Sequence, residues 1–437
     1  MGPLRSPAVL ALLLLLSPLS ATAQQPVVIR AGRFVDVERG EVRRDQVIVV
    51  RGDRVAEVLP AGSRLPAGAR LIDLSRYTVL PGLIDCHAHL IGEVGSADVL
   101  VPLERSGAQE ALTGVRNSRT TLLAGFTTVR DVGTYRAFVD AALRDAINAG
   151  TVIGPRMAVA GAYVTVTTGG GEVIGAARDV TVPAEFRFGV ANSAAEVRER
   201  VRALLNGGAD LIKVIATGAV LTLGTKPGVA EYTEEEIRAA VEQAAEYGAF
   251  VAAHAHGAEG IKRAVRAGVR SIEHGSLIDD EAIALMKERG TWLVADVYNG
   301  DYIATVGREQ KWPEDYLRKN DETTEAQRVG FRKAVAAGVR IAYGTDSGVF
   351  PHEYVARQLP YMVRYGMTPM QAIRSATISA AQLIGWEDRV GTIAKGKYAD
   401  IVAVEGDAMA DLGRFEKVGF VMKGGVVHKG PGLQAAP

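Results

Sequence analysis

The stretch Ala267-Gly268-Val269-Arg270-Ser271-Ile272-Glu273-His274 decides the fold. A helix-like pattern runs into Ala267, Gly268 reads as the left-handed cap that ends it, and the residues after it read as a short strand. The same order of helix, glycine and strand recurs at Ala124-Gly125-Phe126-Thr127, Gly208-Ala209-Asp210-Leu211, Tyr247-Gly248-Ala249-Phe250, Arg289-Gly290-Thr291-Trp292 and Ala337-Gly338-Val339-Arg340. With Leu80 to Asp85 and Arg156 to Gly161 added, eight candidate strands alternate with helical patterns. Such alternation makes a parallel sheet, and eight units make a (β/α)8 TIM-type barrel, an α/β fold. A doubly wound sheet is the alternative. In a barrel the chemistry gathers at the C-terminal ends of the strands.

Outward from this middle, both chain ends change texture. Val27 to Ile29, Arg33 to Val37, Val47 to Val50 and Arg54 to Leu59 are strand-like, with Gly32, Gly40, Gly52-Asp53 and Pro60 as turns. Asp400 to Val404, Val418 to Met422 and Val426 to His428 repeat the pattern, with Gly424-Gly425 as a hairpin turn. Each piece buries little alone, so residues 24–79 and 390–437 are expected to form one small β-sandwich beside a barrel at 80–389. Ahead of them, Arg5, the apolar run Ala8 to Leu16 and the small-x-small site Ala21-Thr22-Ala23 have the layout of a signal peptide over 1–23. An exported protein, periplasmic or secreted, is the expectation, with no membrane association after signal removal.

The chain of 437 residues has 48% hydrophobic residues, which is the globular average and excludes wholesale disorder. Fifty basic residues balance fifty acidic ones, which argues against nucleic acid or an anionic membrane surface as partner. A single cysteine, Cys86, excludes an intrachain disulfide and a cysteine zinc cluster. Any metal is therefore held by histidine and carboxylate.

Such residues stand where a barrel would need them. Of seven histidines, five fall in three strand-ending motifs. His87-Ala88-His89 ends the first strand, and alternation along an extended chain puts both imidazoles on one side. His254-Ala255-His256 ends the fifth, His274 the sixth, and Gly344-Thr345-Asp346 the eighth. One strand-end histidine means little, but several on one rim form the ligand set that zinc and related divalent ions prefer. Lys213 lies in Leu211-Ile212-Lys213-Val214-Ile215, among aliphatics. A buried ammonium is costly unless paired or neutralised. Either Lys213 snorkels to a carboxylate, or its amine has added carbon dioxide to give a carbamate able to bridge two cations.

The order His87-x-His89, Lys213, His254, His274, Asp346 resembles the amidohydrolase superfamily, in its binuclear, carboxylated-lysine form. Pro81-Gly82-Leu83-Ile84-Asp85, the run Ala252 to Gly257, Gly344-Thr345-Asp346 and Gly391-Thr392-Ile393 resemble the imidazolonepropionase-like and Xaa-Pro-dipeptidase-like branch, which includes ochratoxin-hydrolysing members. The resemblance implies two divalent ions, zinc first. His87, His89 and Asp346 would hold the inner ion, His254 and His274 the outer, with the Lys213 carbamate bridging. It further implies a bridging water made acidic by both ions and Asp346 as general base, then acid.

The spacing of 20 between residues 254 and 274 matches that of the branch, so the resemblance implies His254 as the ligand and leaves His256 a role in the outer shell or at the substrate carbonyl. Tyr163, Tyr232, Tyr298 and His352 are candidate substrate contacts. Thr167-Thr168-Gly169-Gly170-Gly171-Glu172 lacks a phosphate-loop ending and reads as a mobile loop over the site, with glycine where the branch often carries histidine. Glu234-Glu235-Glu236 reads as a helix N-terminus, His428 as a surface residue and Cys86 as core.

The expected activity is hydrolysis of a small-molecule amide, a dipeptide or an N-acyl amino acid, with an ochratoxin-like substrate releasing phenylalanine as one case. A cyclic-amide hydrolase or deaminase and a non-catalytic metal-binding protein are the alternatives. Lys213 weighs against the deaminase and Asp346 against the metal store. Self-association into a homo-oligomer is left open.

Overall fold

The computed structural model describes Gly2 and residues 25–92, 98–177 and 179–431, so the expected signal segment lies, Gly2 apart, outside the described residues. Strands β1 (Val27–Asp36), β2 (Glu41–Arg51) and β3 (Arg54–Pro60) run antiparallel, and β4 (Arg70–Pro81) lies parallel to β1. Gly32 is inside β1 and not at a turn. A Cβ there would lie 1.8 Å from the Ser75 carbonyl oxygen, so glycine lets the two backbones close up where the register slips between Ala31 and Arg33.

The barrel follows. β5 (Leu83–Ala88), β6 (Phe126–Asp131) and β7 (Arg156–Val159) form one parallel piece. β8 (Tyr163–Val164), β9 (Ile212–Ile215), β10 (Val251–Gly257), β11 (Ser271–Leu277) and β12 (Trp292–Val294) form another. β7 and β8 are two halves of the third barrel segment, broken at Gly161, where φ is +77°. The eighth segment is joined by single parallel bridges, Ile341 to Leu293 of β12 and Ser347 to Ala88 of β5. Further hydrogen bonds hold it, from the Cys86 N–H to the Tyr343 carbonyl (2.8 Å) and from the Asp346 N–H to the His87 carbonyl (2.7 Å).

Helices such as Ala194–Asn206, Glu234–Ala245, Ala258–Ala267, Asp280–Arg289 and Glu314–Ala337 alternate with these strands. The expected helix-ending glycines, Gly125, Gly208, Gly248, Gly268, Gly290 and Gly338, all have φ between +68° and +108°. Thr233 and Glu236 form a reciprocal cap at the start of their helix, with the acidic run in its first turn. Among the described residues no helix is long and apolar enough to cross a membrane.

β13 (Ile401–Glu405), β14 (Phe420–Lys423) and β15 (Val426–Lys429) then return to the first strands. β13 pairs antiparallel with β4, so both chain ends share one seven-stranded sheet. The sheet curls so that its β3 end reaches the segment leading into β13: the Val55 N–H donates to the Lys397 carbonyl (2.9 Å), and the Ala399 N–H to that of Asp53 (2.8 Å). Along β13 the two faces alternate. Ile401 and Ala403 join Ile29, Phe34, Leu74 and Phe420 inside the curl, while Val402 and Val404 pack against the barrel core.

Candidate metal centre

β5 delivers His87 and His89 to the rim, and the eighth segment delivers Asp346 opposite them. His87 Nε2 lies 3.4 Å and His89 Nε2 3.3 Å from Asp346 Oδ1. Their other nitrogens are occupied. His87 Nδ1 donates to Glu273 Oε2 (3.0 Å) and His89 Nδ1 to the Gly133 carbonyl (2.9 Å). Those partners fix the tautomer and leave each Nε2 free for a cation. Glu273 is fully buried, and Arg130 donates to both of its oxygens at 2.8 Å. Burial alone would raise its pKa, but Arg130 and His87 hold it far below the usual carboxylate range.

β10 and β11 supply the remaining imidazoles. His254 Nε2 donates to the Gly218 carbonyl (3.3 Å), His256 Nδ1 lies 2.8 Å from Ser276 Oγ, and His274 Nδ1 donates to Asp296 Oδ1 (3.1 Å). The His254 ring stands 4.6 Å from that of His274, and the His87 ring 4.8 Å from it. Burial, then the neighbouring His274, keeps His254 and His256 uncharged, with pKa values well below the ordinary imidazole range. Both His274 (φ +69°) and Asp346 (φ +59°) occupy the left-handed region, a strained conformation that aims both side chains into the centre.

Three groups of donor atoms, each within 4.8 Å of one another, result: His87, His89 and Asp346; His254, His256 and His274; and His274, Asp296 and Asp346. Lys213, on β9, is 2% exposed and borders the same cleft. Burial lowers its amine to about 8, against the pull of Glu273 and Asp346. Asp346 has the reverse balance. Burial would raise it, and His87 and His89 hold it well below the usual carboxylate value.

Of the candidate substrate contacts, Tyr163 borders the cleft, its Oη 3.3 Å from His89 Nδ1. Tyr232 does not: its hydroxyl is spent in the core on the Ala191 carbonyl (2.8 Å). Tyr298 accepts from Arg357 (3.2 Å) and packs on Phe350 and Tyr361. His352 is buried against Thr121 (3.1 Å). Neither of these two lines the cleft. Cys86 is a core residue whose thiol burial pushes upward, and His428 is half-buried rather than exposed. Gly170 and Gly171 form cleft wall, with the Gly170 N–H held by both Glu231 oxygens (2.9 and 3.1 Å).

Sequence reasoning missed Asp296, Glu273, Asn299 and Gln327. Asp296 follows the seventh strand much as Asp346 follows the eighth segment, so a carboxylate at a strand end was the available signal. Gln327 donates to Asp296 Oδ1 (2.7 Å), and Asn299 donates to Asp296 Oδ2 and Asp346 Oδ2 (3.0 Å each).

Residues 78–429 match the amidohydrolase family. The chain belongs to that family. This amidohydrolase is 32% identical over 428 residues to ochratoxinase of Aspergillus niger, an alignment covering 93% of this chain and 87% of the relative. It superposes on a crystal structure of a Xaa-Pro dipeptidase with bound methionine at a TM-score of 0.87 and 38% identity, covering 93% of this chain and all of that one. The crystal structure of A. niger ochratoxinase gives 0.84 at 30% identity, over 94% of this chain and 97% of that one. The amidohydrolase is an enzyme that hydrolyses amide bonds, and its fold is the barrel with a β-sandwich of these relatives.

Proposed function

We propose that this amidohydrolase is a two-metal enzyme that cleaves the amide of a dipeptide or an N-acyl amino acid, an ochratoxin-like conjugate releasing phenylalanine among them. One observation carries the proposal: the donor groups overlap, sharing His274 and Asp346 across a single cleft. The residues fit divalent cations, being imidazoles and carboxylates whose other polar atoms are already bonded. His87, His89 and Asp346 would hold one ion and His254 and His274 the other, zinc being the first choice for such donors.

Lys213 would complete the set as a carbamate. With its amine lowered to about 8, part of it is neutral near pH 7, and its lone pair can attack carbon dioxide. An N–C bond forms as one C=O π bond opens, and one N–H proton leaves to solvent, so the neutral amine becomes a carbamate anion; counted from the ammonium form, two protons leave.

When bound, divalent ions supply an acidified water and polarise a carbonyl. Asp346 takes the proton of the attacking water and returns it to the leaving nitrogen. His256, fixed by Ser276, stands beside the centre as a contact for the substrate carbonyl. Ile215, Leu221, Ile303 and Val349 line the cleft and suit an apolar side chain. Residues 1–23 would act as an export signal, placing the enzyme in a periplasm or outside the cell.

A screen of dipeptides and N-acyl amino acids, phenylalanine as leaving group included, tests the reading on the full chain loaded with zinc in bicarbonate. Release of free amino acid is expected. A fully metal-loaded protein that cleaves none of them overturns it.

A further inference from the structure

Lys319, on the helix Glu314–Ala337, is 1% exposed and does not border the cleft. Its ammonium has three N–H groups and three acceptors: the Thr222 carbonyl (2.6 Å), the Ala219 carbonyl (3.1 Å) and Asp315 Oδ2 (2.9 Å). Two of the three are main-chain oxygens of the loop after β9, so a buried charge is spent on holding that loop. Further bonds tie the same loop. The Ala219 N–H donates to Thr225 Oγ1 (3.0 Å), the Gly224 N–H to Asp315 Oδ2 (3.3 Å), and Thr222 Oγ1 donates to the Gly170 carbonyl of the glycine loop (2.7 Å). To the cleft this loop presents Ala219, Val220, Leu221 and Thr222. Leu221 packs against the cluster that holds Ile303 and Val349, and since both of these border the cleft too, the three make one apolar patch in its wall. Val349 follows Asp346 by three residues, and its N–H donates to the Asp346 carbonyl (3.2 Å). The patch therefore flanks the proton shuttle, the side on which a leaving amino acid is protonated.

We propose that Lys319 is a positioning residue for substrate selection: it holds Leu221 beside Ile303 and Val349 as a fixed wall for the apolar side chain of the leaving amino acid. The inference rests on the amide-hydrolase reading above, with Asp346 as proton shuttle. Without the ammonium, two carbonyls closed to water lose a charge-assisted donor, and the loop must shift to find another. A shifted Leu221 costs a phenylalanine leaving group its contacts. Glycine, with no side chain, has nothing to lose there. The metal ligands are held by other bonds: the Gly218 carbonyl meets His254, and the Gly218 N–H is tied to the Val229 carbonyl (3.1 Å) rather than to Lys319.

The test compares kcat/KM for an N-acyl-L-phenylalanine and the matching N-acylglycine on the zinc-loaded full chain in bicarbonate. The wild type is expected to favour phenylalanine by about 10-fold or more. Lys319→Met keeps the apolar stem and removes the charge. It is expected to bind as much metal as the wild type and to lower the Phe:Gly ratio by about 10-fold, mainly through KM for the phenylalanine substrate. Lys319→Gln, which keeps a neutral donor, is read in the same way should the methionine variant not fold. Leu221→Ala tests the wall without touching Lys319 and should lower the ratio by a similar factor. Equal wild-type rates on the two substrates overturn the inference, and so does an unchanged ratio in Leu221→Ala. An equal loss on both substrates in a Lys319 variant, or a loss of metal, also overturns it, by making Lys319 a general support of the fold or of His254. If the loaded wild type cleaves neither substrate, nor any other amide, the amide-hydrolase reading itself falls, and the inference with it.

Discussion

Asp346 offers one oxygen to His87 and His89 and the other to Asn299, so ligand and base are separate atoms of one side chain. Asp346→Asn keeps the shape and one ligating oxygen but takes no proton. Metal content should stay near wild type while kcat falls by about 10² or more, read by elemental analysis and steady-state rates on the same sample. Parallel loss of both would make Asp346 mainly a ligand. Glu273 works on stability as well as on His87. Glu273→Ala leaves Arg130, fully buried, without its carboxylate, which should cost about 3–5 kcal/mol. The urea midpoint measures it, and an unchanged midpoint contradicts a sealed ion pair. Glu273 stands directly before His274, yet nothing local marks it: its cation is 143 positions away, and a buried carboxylate is recognisable only with its partner. His87, His89 and Asp346 were legible because strand alternation and strand ends fix them without distant knowledge. Tyr232 and Tyr298 were not, since a phenol shows its partner only after folding.

The terminal strands show what element-level patterns carry and what they lose. The hairpin glycines Gly424 and Gly425 sit at φ +55° and +75°, as a tight turn demands. β4 escaped notice because half of it is solvated on both faces and breaks the alternation. Gly32 was misread as punctuation, since a glycine needed for close approach looks like one needed for a turn. Gly32→Ala should force β1 from β4 and cost about 1–3 kcal/mol, seen as a lowered Tm; an unchanged Tm would mean the strands have room. The glycine loop at the cleft carries a pH signature. Burial raises Glu231 from an ordinary 4.5 to about 7, only partly offset by the Gly170 N–H. A carboxyl raised on folding gives stability that is full below pH 4.5 and is lost as pH rises through about 7. Glu231→Gln, neutral throughout, should match the wild-type Tm at pH 5 and exceed it at pH 8. The same difference at both values would show that Glu231 ionises freely.

At the scale of the whole molecule, repetition made the barrel readable. Six glycines with positive φ each hand a helix to a strand, so the parallel order follows from local chemistry. The join between the chain ends was inferred only from the weakness of each piece. The actual contact, Ile401 against Pro81, pairs strands more than three hundred residues apart, and no local signal encodes it. Asp296 was lost for a related reason: the strand before it is three residues long, too short for a period to show. What unites the molecule is that five imidazoles, a buried lysine and two carboxylates meet at one end of the barrel, and the claim is that they hold two ions. Metal content per chain by elemental analysis, after reconstitution with zinc and bicarbonate and removal of free metal, tests it most directly. Two ions per chain are predicted for the wild type; fewer than one would contradict the account.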